Sequence, residues 1–198
     1  METKELILKK ALDMFAKSGY DSVSIRDIAK AVNIKESSIY YHFKNKQDIL
    51  DSLVEKFESH MKELTDMLQA SMSDSNHVNA FSWDWLREFY FEQYLFDTFC
   101  NQMMRFMMIE QFHNENMRML YERYLFELPH KIQTQSFMML SKLGILSEQQ
   151  AIKVGNDFFA SITMLTFKYL LNGKMTKTKK EAFSEETFTY INRMFQED

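Results

Sequence analysis

Only four glycines and one proline interrupt 198 residues. Sheets depend on tight reversals, and those need residues that tolerate positive φ or carry a preset one. A chain so short of both does not suit a β-sandwich or a doubly wound sheet. It reads as all-α. Ile7, Ala11, Met14 and Phe15 fall on one helical face with Lys9, Lys10 and Lys17 off it. That predicts a first helix over 3–18, opened by Thr3 as N-cap and stopped by Gly19. Further helices are expected at 24–32, at 36–43 and from Asn45 through Leu68. The periodicity continues at 80–96, 97–112, 115–143 with a bend at Pro129, 147–172 and 184–196, about nine helices in all. KMTKTKK at 174–180 reads as a basic loop, and Ser147 to Gln150 as a capping box.

Apolar runs such as Phe106–Ile109 fall far short of the roughly 20 residues that cross a bilayer. METKELILKK lacks the residue order of a signal peptide. A single cysteine, Cys100, leaves no internal disulfide framework. These features suit a cytoplasmic protein with no membrane partner. The net charge of −4 is unevenly spread. Residues 1–50 hold nine Lys/Arg against seven Asp/Glu, a balance of +2, and the remainder carries −6. A basic head on an acidic body is compatible with groove binding, which needs local rather than global positive charge.

Residues 24–50 carry the chemistry. Ser24-Ile25-Arg26-Asp27 forms a capping box with Asp in place of the usual Glu, opening a helix whose Ile25, Ile28, Ala29 and Val32 face inward. Asn33 sits at the turn, being more tolerant of the left-handed region than most residues. Ile34, Ile39 and Phe43 are spent on the core, which leaves Lys35, Glu36, Ser37, Ser38, Tyr40, Tyr41 and His42 outward. Hydroxyls and imidazole suit phosphate oxygens, and the start of such a helix reaches base edges in a major groove. Asn45 caps the next helix, whose Lys46 is placed to hold a phosphate.

ALDMFAKSGYDSVSIRDIAKAVNIKESSIYYHFKNKQDIL, within residues 4–54, resembles the N-terminal domain of the tetracycline-repressor (TetR) family of bacterial transcription regulators. The shared elements are a Phe before a Gly-Tyr turn, a Ser-opened helix with Ile-Ala, then Ser-Ile-Tyr-Tyr-His-Phe and Lys-Asn-Lys. The resemblance implies a three-helix DNA-binding domain at 1–46 and a helical ligand-binding and dimerisation domain at 47–198. It implies a homodimer on a near-palindromic double-stranded DNA operator, commonly a repressor, released by a small-molecule effector. It also implies that Lys35, Ser37, Ser38 and Tyr40 lie at base edges, with Ser24, Tyr41, His42 and Lys46 on backbone phosphates. Asn33 departs from the family's usual Gly.

The body holds most of the 16 Met and 18 Phe. Met repacks around varied shapes, which suits a pocket for a lipophilic or aromatic ligand. Candidate lining residues are Met61, Phe89, Met103, Phe106, Met107, Tyr121, Tyr124 and Phe158, although each also reads as ordinary core. Glu92, Glu110 and Glu122 are candidates to pair with a cationic ligand or plain surface charges. Phe159, Ile162, Leu165, Phe188 and Ile191 are candidates for the dimer interface, since the two last helices carry more apolar surface than one face requires. Coupling between body and head is expected through the helix from Asn45 to about Leu68.

No phosphate loop, HExxH, CxxC or serine elbow supports an enzyme, and no cofactor is implied. The five histidines lack metal-ligand spacing, so no metal site is expected. Cys100 lies in an apolar helix without nearby cations, which favours an inert thiol over a redox sensor. A DNA-bound adaptor whose body recognises a protein is the alternative.

Overall fold

A computed structural model describes residues 2–73 and 86–194, with the side chains of 71–73, 86, 89 and 194 outside the description. All regular structure among the described residues is helical: nine α-helices and three π-helical segments. The α-helices are α1 (Thr3–Ser18), α2 (Ile25–Val32), α3 (Glu36–Tyr40), α4 (Lys46–Ser73), α5 (Thr98–Glu110), α6 (Glu115–Glu122), α7 (Leu128–Lys142), α8 (Glu148–Leu165) and α9 (Lys177–Met194). The π-helical segments are Leu86–Leu95, Arg123–Glu127 and Thr166–Leu171. No described helix is long and apolar enough to cross a membrane. The chain gathers into two compact units, Met1–Ala70 with Thr98–Arg118, and Ser71–Asp97 with Met119–Asp198.

In the first unit α1 is the central element. Ile7, Leu8, Ala11, Leu12, Phe15 and Ala16 are buried, a wider stripe than the sequence predicts, and Met14 is only half-buried. Glu2, not Thr3, precedes the helix, and it makes no side-chain cap. One flank of α1 meets α2, and the other meets α5, where Phe15 stacks on Phe106 at 5.5 Å. Asp13 accepts from Gln102 Nε2 at 3.1 Å along the same seam. α4 adds Ile49, Leu50, Leu53 and Phe57 to this core, with Phe57 edge-on to Phe99 at 6.3 Å.

The second unit is built mainly on α7 against α8, with α9 lying on α8. A Cβ at Gly155 on α8 would meet the Phe137 ring at 3.4 Å, an ordinary contact distance. The Ser147–Gln150 capping box opens α8 as expected. α7 ends at Gly144, φ +73°, where the N–H of Ile145 reaches the Leu140 carbonyl and that of Gly144 reaches Ser141. Ahead of Pro129 the chain winds as a π turn over Arg123–Glu127, and the Leu128 N–H bonds back five residues to Arg123. Proline crowds the carbonyl four residues before it, and a wider turn relieves that crowding.

Two boundary expectations need correction. α9 begins at Lys177 rather than 184, so part of the expected basic loop is helix. Thr176 caps it by accepting the Lys179 N–H through Oγ1, and Lys180 Nζ donates to the Phe96 carbonyl at 3.0 Å. α3 is α-helical only over Glu36–Tyr40. Tyr41 and His42 continue as a turn, in which the N–H groups of His42 and Phe43 both reach the Ile39 carbonyl. Residues 80–85 and 195–196, also expected to be helical, lie outside the described residues.

Candidate nucleic-acid interface

The outward surface of residues 24–46 is held by backbone chemistry at each corner. Ser24 and Asp27 exchange side-chain and backbone hydrogen bonds to start α2, with Asp27 N–H donating to Ser24 Oγ at 3.2 Å. The Ser24 hydroxyl and its backbone N–H hold the Asp27 carboxyl below the usual carboxylate range. At the other end of α2, Asn33 adopts φ 61°, ψ 46°, the one left-handed non-glycine among the described residues. Its N–H bonds the Lys30 carbonyl while that of Ile34 bonds Ala29, the double closure of a left-handed helix stop.

The turn aims α3. Ile39 and Phe43 go into the core at 0% and 2% exposure, and Ile34 is half-buried. Tyr41 is 87% exposed and Tyr40 is 55% exposed. Lys35 and Ser37 are exposed, whereas Ser38 and His42 are half-buried. The His42 ring meets Tyr41 edge-on at 5.1 Å, so the two form one aromatic tip. Nothing in the fold's own packing requires two solvent-facing tyrosines at the end of a five-residue helix. Arg26 lies 3.9 Å from Glu36, an exposed pair of small energetic weight linking α2 to α3.

Asn45 caps α4 by accepting the Asp48 N–H at 2.9 Å, and Asp48 in turn takes the Lys44 N–H at 2.8 Å. Lys46, expected on a phosphate, is half-buried and tied inward. Its ammonium donates to the Tyr20 carbonyl at 2.9 Å and the Val23 carbonyl at 3.0 Å, and lies 4.0 Å from the Tyr20 ring centroid. Two of its three N–H donors therefore brace the loop before Ser24. Burial, with Asp21 and Asp51 adding to it, pushes the Tyr20 phenol up.

One structural residue escapes sequence reasoning. Glu110, expected as a surface charge or ligand partner, is 8% exposed and accepts the Tyr20 N–H at 2.7 Å. Gly19 makes room for it: a Cβ there would stand 2.9 Å from the Glu110 carboxylate. The Gly-Tyr pair signals a turn, but no local signal names a partner 90 residues away.

Residues 7–53 match the family described as "Bacterial regulatory proteins, tetR family". Residues 7–53 are thus a TetR-type N-terminal head. The family is one of DNA-binding regulators, not enzymes. Over 94 residues the chain is 36% identical to the biofilm operon icaADBC HTH-type negative transcriptional regulator IcaR of Staphylococcus aureus strain Newman, covering 48% of this chain and 46% of that one. The chain thus spans about half the length of the curated relatives it matches. Its fold is similar to that of a putative TetR-family regulator from Mesorhizobium loti, with a TM-score of 0.65 at 13% identity over 98% of this chain and 95% of the other. It is also similar to a putative transcriptional regulator from Saccharomonospora viridis solved in complex with choline, with a TM-score of 0.62 at 22% identity over 96% and 95%.

The TetR-type head leaves the body's candidates to be placed. Met103, Phe106 and Met107 are fully buried on α5, the helix that packs on α1, so core packing in the first unit accounts for them. Met61 is buried on α4 in the same unit. Tyr121, Tyr124 and Phe158 fall in the second unit. There the Tyr124 carbonyl accepts from the Tyr94 hydroxyl, Tyr121 stacks edge-on with Phe126 and Phe158 packs on Phe137. The Phe89 side chain lies outside the described residues. Glu92 and Glu122 are exposed.

Among the dimer candidates, Ile162 and Leu165 are corrected to core, at 2% and 0% exposure, because they lie on the inner face of α8. Phe159 is half-buried beside His130 at 4.8 Å, Ile191 is half-buried and Phe188 is exposed on α9. The large apolar side chains that α8 does expose are Ile152 and Met164. Cys100 is fully buried, and a His60 ring nitrogen lies within 4.8 Å of its Sγ.

Proposed function

We propose that the protein is a cytoplasmic, dimeric transcriptional repressor whose head, 1–46, reads a near-palindromic operator. Its body, 47–198, binds a small lipophilic or aromatic effector and makes the dimer. The observation that carries this reading is the exposed pair Tyr40 and Tyr41, with half-buried His42 beside them, aimed by the left-handed Asn33 turn within a segment that matches the family. Lys35, Ser37, Ser38 and Tyr40 are assigned to base edges, and Ser24, Tyr41 and His42 to phosphates. Lys46 both braces the loop of residues 20–23 and offers its remaining N–H to a phosphate in this reading.

A dimer follows from arithmetic, since one five-residue helix covers too few base pairs for useful specificity. Phe159, Phe188 and Ile191 remain its candidates. α4 begins beside the reading surface, so an effector that prefers one arrangement of α4 changes operator affinity by that preference, commonly 1 to 3 kcal/mol.

The test is operator selection from a random duplex library, with salt dependence measured on the enriched sequences. Two half-sites about 34–36 Å apart are expected. Salt-sensitive binding with no enriched sequence sinks the repressor reading in favour of a DNA-bound adaptor.

A further inference from the structure

Three buried polar atoms have no hydrogen-bond partner among the described residues, Gln133 Oε1, Thr134 Oγ1 and Thr187 Oγ1, and all three belong to the second unit. Buried polar atoms are almost always paired, so each orphan calls for an occupant or a reason. Gln133 is the telling one. It is 5% exposed on α7, and its Nε2 donates to the Tyr90 hydroxyl at 2.9 Å. Tyr90 as a residue is half-buried, but its hydroxyl is inside, and burial holds the phenol well above its ordinary range against the opposing pull of Gln133. An accepting phenol keeps its own proton to place. The pair therefore presents an unused acceptor and an available donor side by side.

Two other hydroxyls of this unit are satisfied. The Tyr94 hydroxyl bonds the Tyr124 carbonyl, and the Ser136 hydroxyl bonds that of Ile132. Thr134, next along α7, leaves its Oγ1 unpartnered as well. The surroundings of Gln133 are aromatic: Tyr90 lies 5.8 Å from Tyr94 and 6.1 Å from Phe91, ring centre to ring centre. Phe137, one turn along α7 from Gln133, lies 5.5 Å from Phe158. Tyr90 itself sits on the π-helical segment Leu86–Leu95, a winding that recurs at functional sites. Among the described residues of this unit, the buried polar ones are Gln133, Ser136, Thr166 and Thr187, all uncharged. An ionised ligand would find no counter-charge among them, and burying an unpaired charge is prohibitive.

We propose that Tyr90 and Gln133 are the polar handle of the effector site, and that the effector is a neutral, flat, apolar compound carrying a hydroxyl. A hydroxyl both donates and accepts, so it satisfies the pair in either orientation of the Gln133 amide. This rests on the effector reading above and specifies the chemistry of its ligand.

The test uses the full chain, with β-naphthol as probe, β-methylnaphthalene as the matched compound without the hydroxyl, and choline as a compact cation. Affinities come from titration calorimetry, supported by the shift in thermal midpoint. β-Naphthol is expected to bind about tenfold or more tightly than β-methylnaphthalene. Tyr90→Phe and Gln133→Leu should each erase that ratio while leaving ligand-free binding to the selected operator unchanged. Equal affinities in the wild type, a preference that survives both variants, or choline as the tightest of the three overturns the inference. Should Gln133→Leu lose its helical signal, Tyr90→Phe and the wild-type ratio decide. Failure of all three probes, with release of the operator by other members of a wider library, removes the handle and leaves the effector reading standing. A silent library as well removes both.

Discussion

The carboxylate of Glu110, the last residue of α5, accepts the backbone N–H of Tyr20 at 2.7 Å. The bond joins the turn that leads into the reading helices to a helix 90 residues on. Gly19 permits it, with φ +80° and ψ 165°, a region that side chains all but exclude, and with no Cβ to meet the carboxylate. Gly19→Ala should therefore destabilise the first unit by roughly 1–3 kcal/mol. Glu110→Ala, which orphans the Tyr20 N–H, should cost about as much. Glu110→Gln retains an acceptor and should cost less. Urea unfolding followed by circular dichroism ranks the three, and wild-type stability in Gly19→Ala would contradict the backbone conformation described.

Asn33 is a second backbone test. Alanine there must enter the left-handed region without the local hydrogen bonding that asparagine has, at about 1–2 kcal/mol. Glycine should leave stability within a few tenths of wild type, since its freedom at φ 61° offsets its greater chain entropy. Thermal unfolding of the two variants checks the order, and an alanine variant as stable as the glycine one would refute it.

Tyr41 and Lys46 should separate reading from bracing. Tyr41, at 87% exposure, contributes little to folding, so Tyr41→Ala should leave stability within about 0.5 kcal/mol and weaken operator binding. Lys46→Met removes two carbonyl partners from the loop of residues 20–23 and should cost about 1–2 kcal/mol of stability. If its last N–H also holds a phosphate, the salt slope of operator binding should fall by about 0.9 for each half-site of the dimer. Stability unchanged in Lys46→Met would mean the inward bonds carry no weight.

Acid should weaken the start of α2. Asp27 has a folded-state carboxyl held below its ordinary value by Ser24, so the folded state binds its proton less readily than the unfolded chain does. Its contribution is present above the ordinary carboxylate range and is lost as pH falls through the lowered value. Asp27→Asn should flatten that part of the acid unfolding curve. Unfolding from pH 7 to pH 2, with the two proteins compared by circular dichroism, measures it, and superimposable curves would remove Asp27 from the acid response.

Most of the head was legible because its signals are local. The Ser24–Asp27 box, the Asn33 stop, the Asn45 cap and the inward Ile28, Ile39 and Phe43 lie within a few residues of the partners that define them. α9 escaped by seven residues because KMTKTKK was weighed by charge. Its start is set by Thr176 and by Lys180 reaching Phe96, a contact 84 residues away.

The sequence by itself determined an all-helical chain and a head with its reading side chains outward, because periodicity, caps and turn residues act over one or two helical turns. Tertiary structure decided which apolar residues are core and which are surface. Helical spacing places Ile162 and Leu165 on a face, but only packing against the rest of the second unit shows that the face points inward. It likewise gave Glu110 to the Tyr20 N–H and left Gln133 with an unanswered oxygen. Those outcomes depend on which distant groups arrive at the same place, and no short window of sequence contains both.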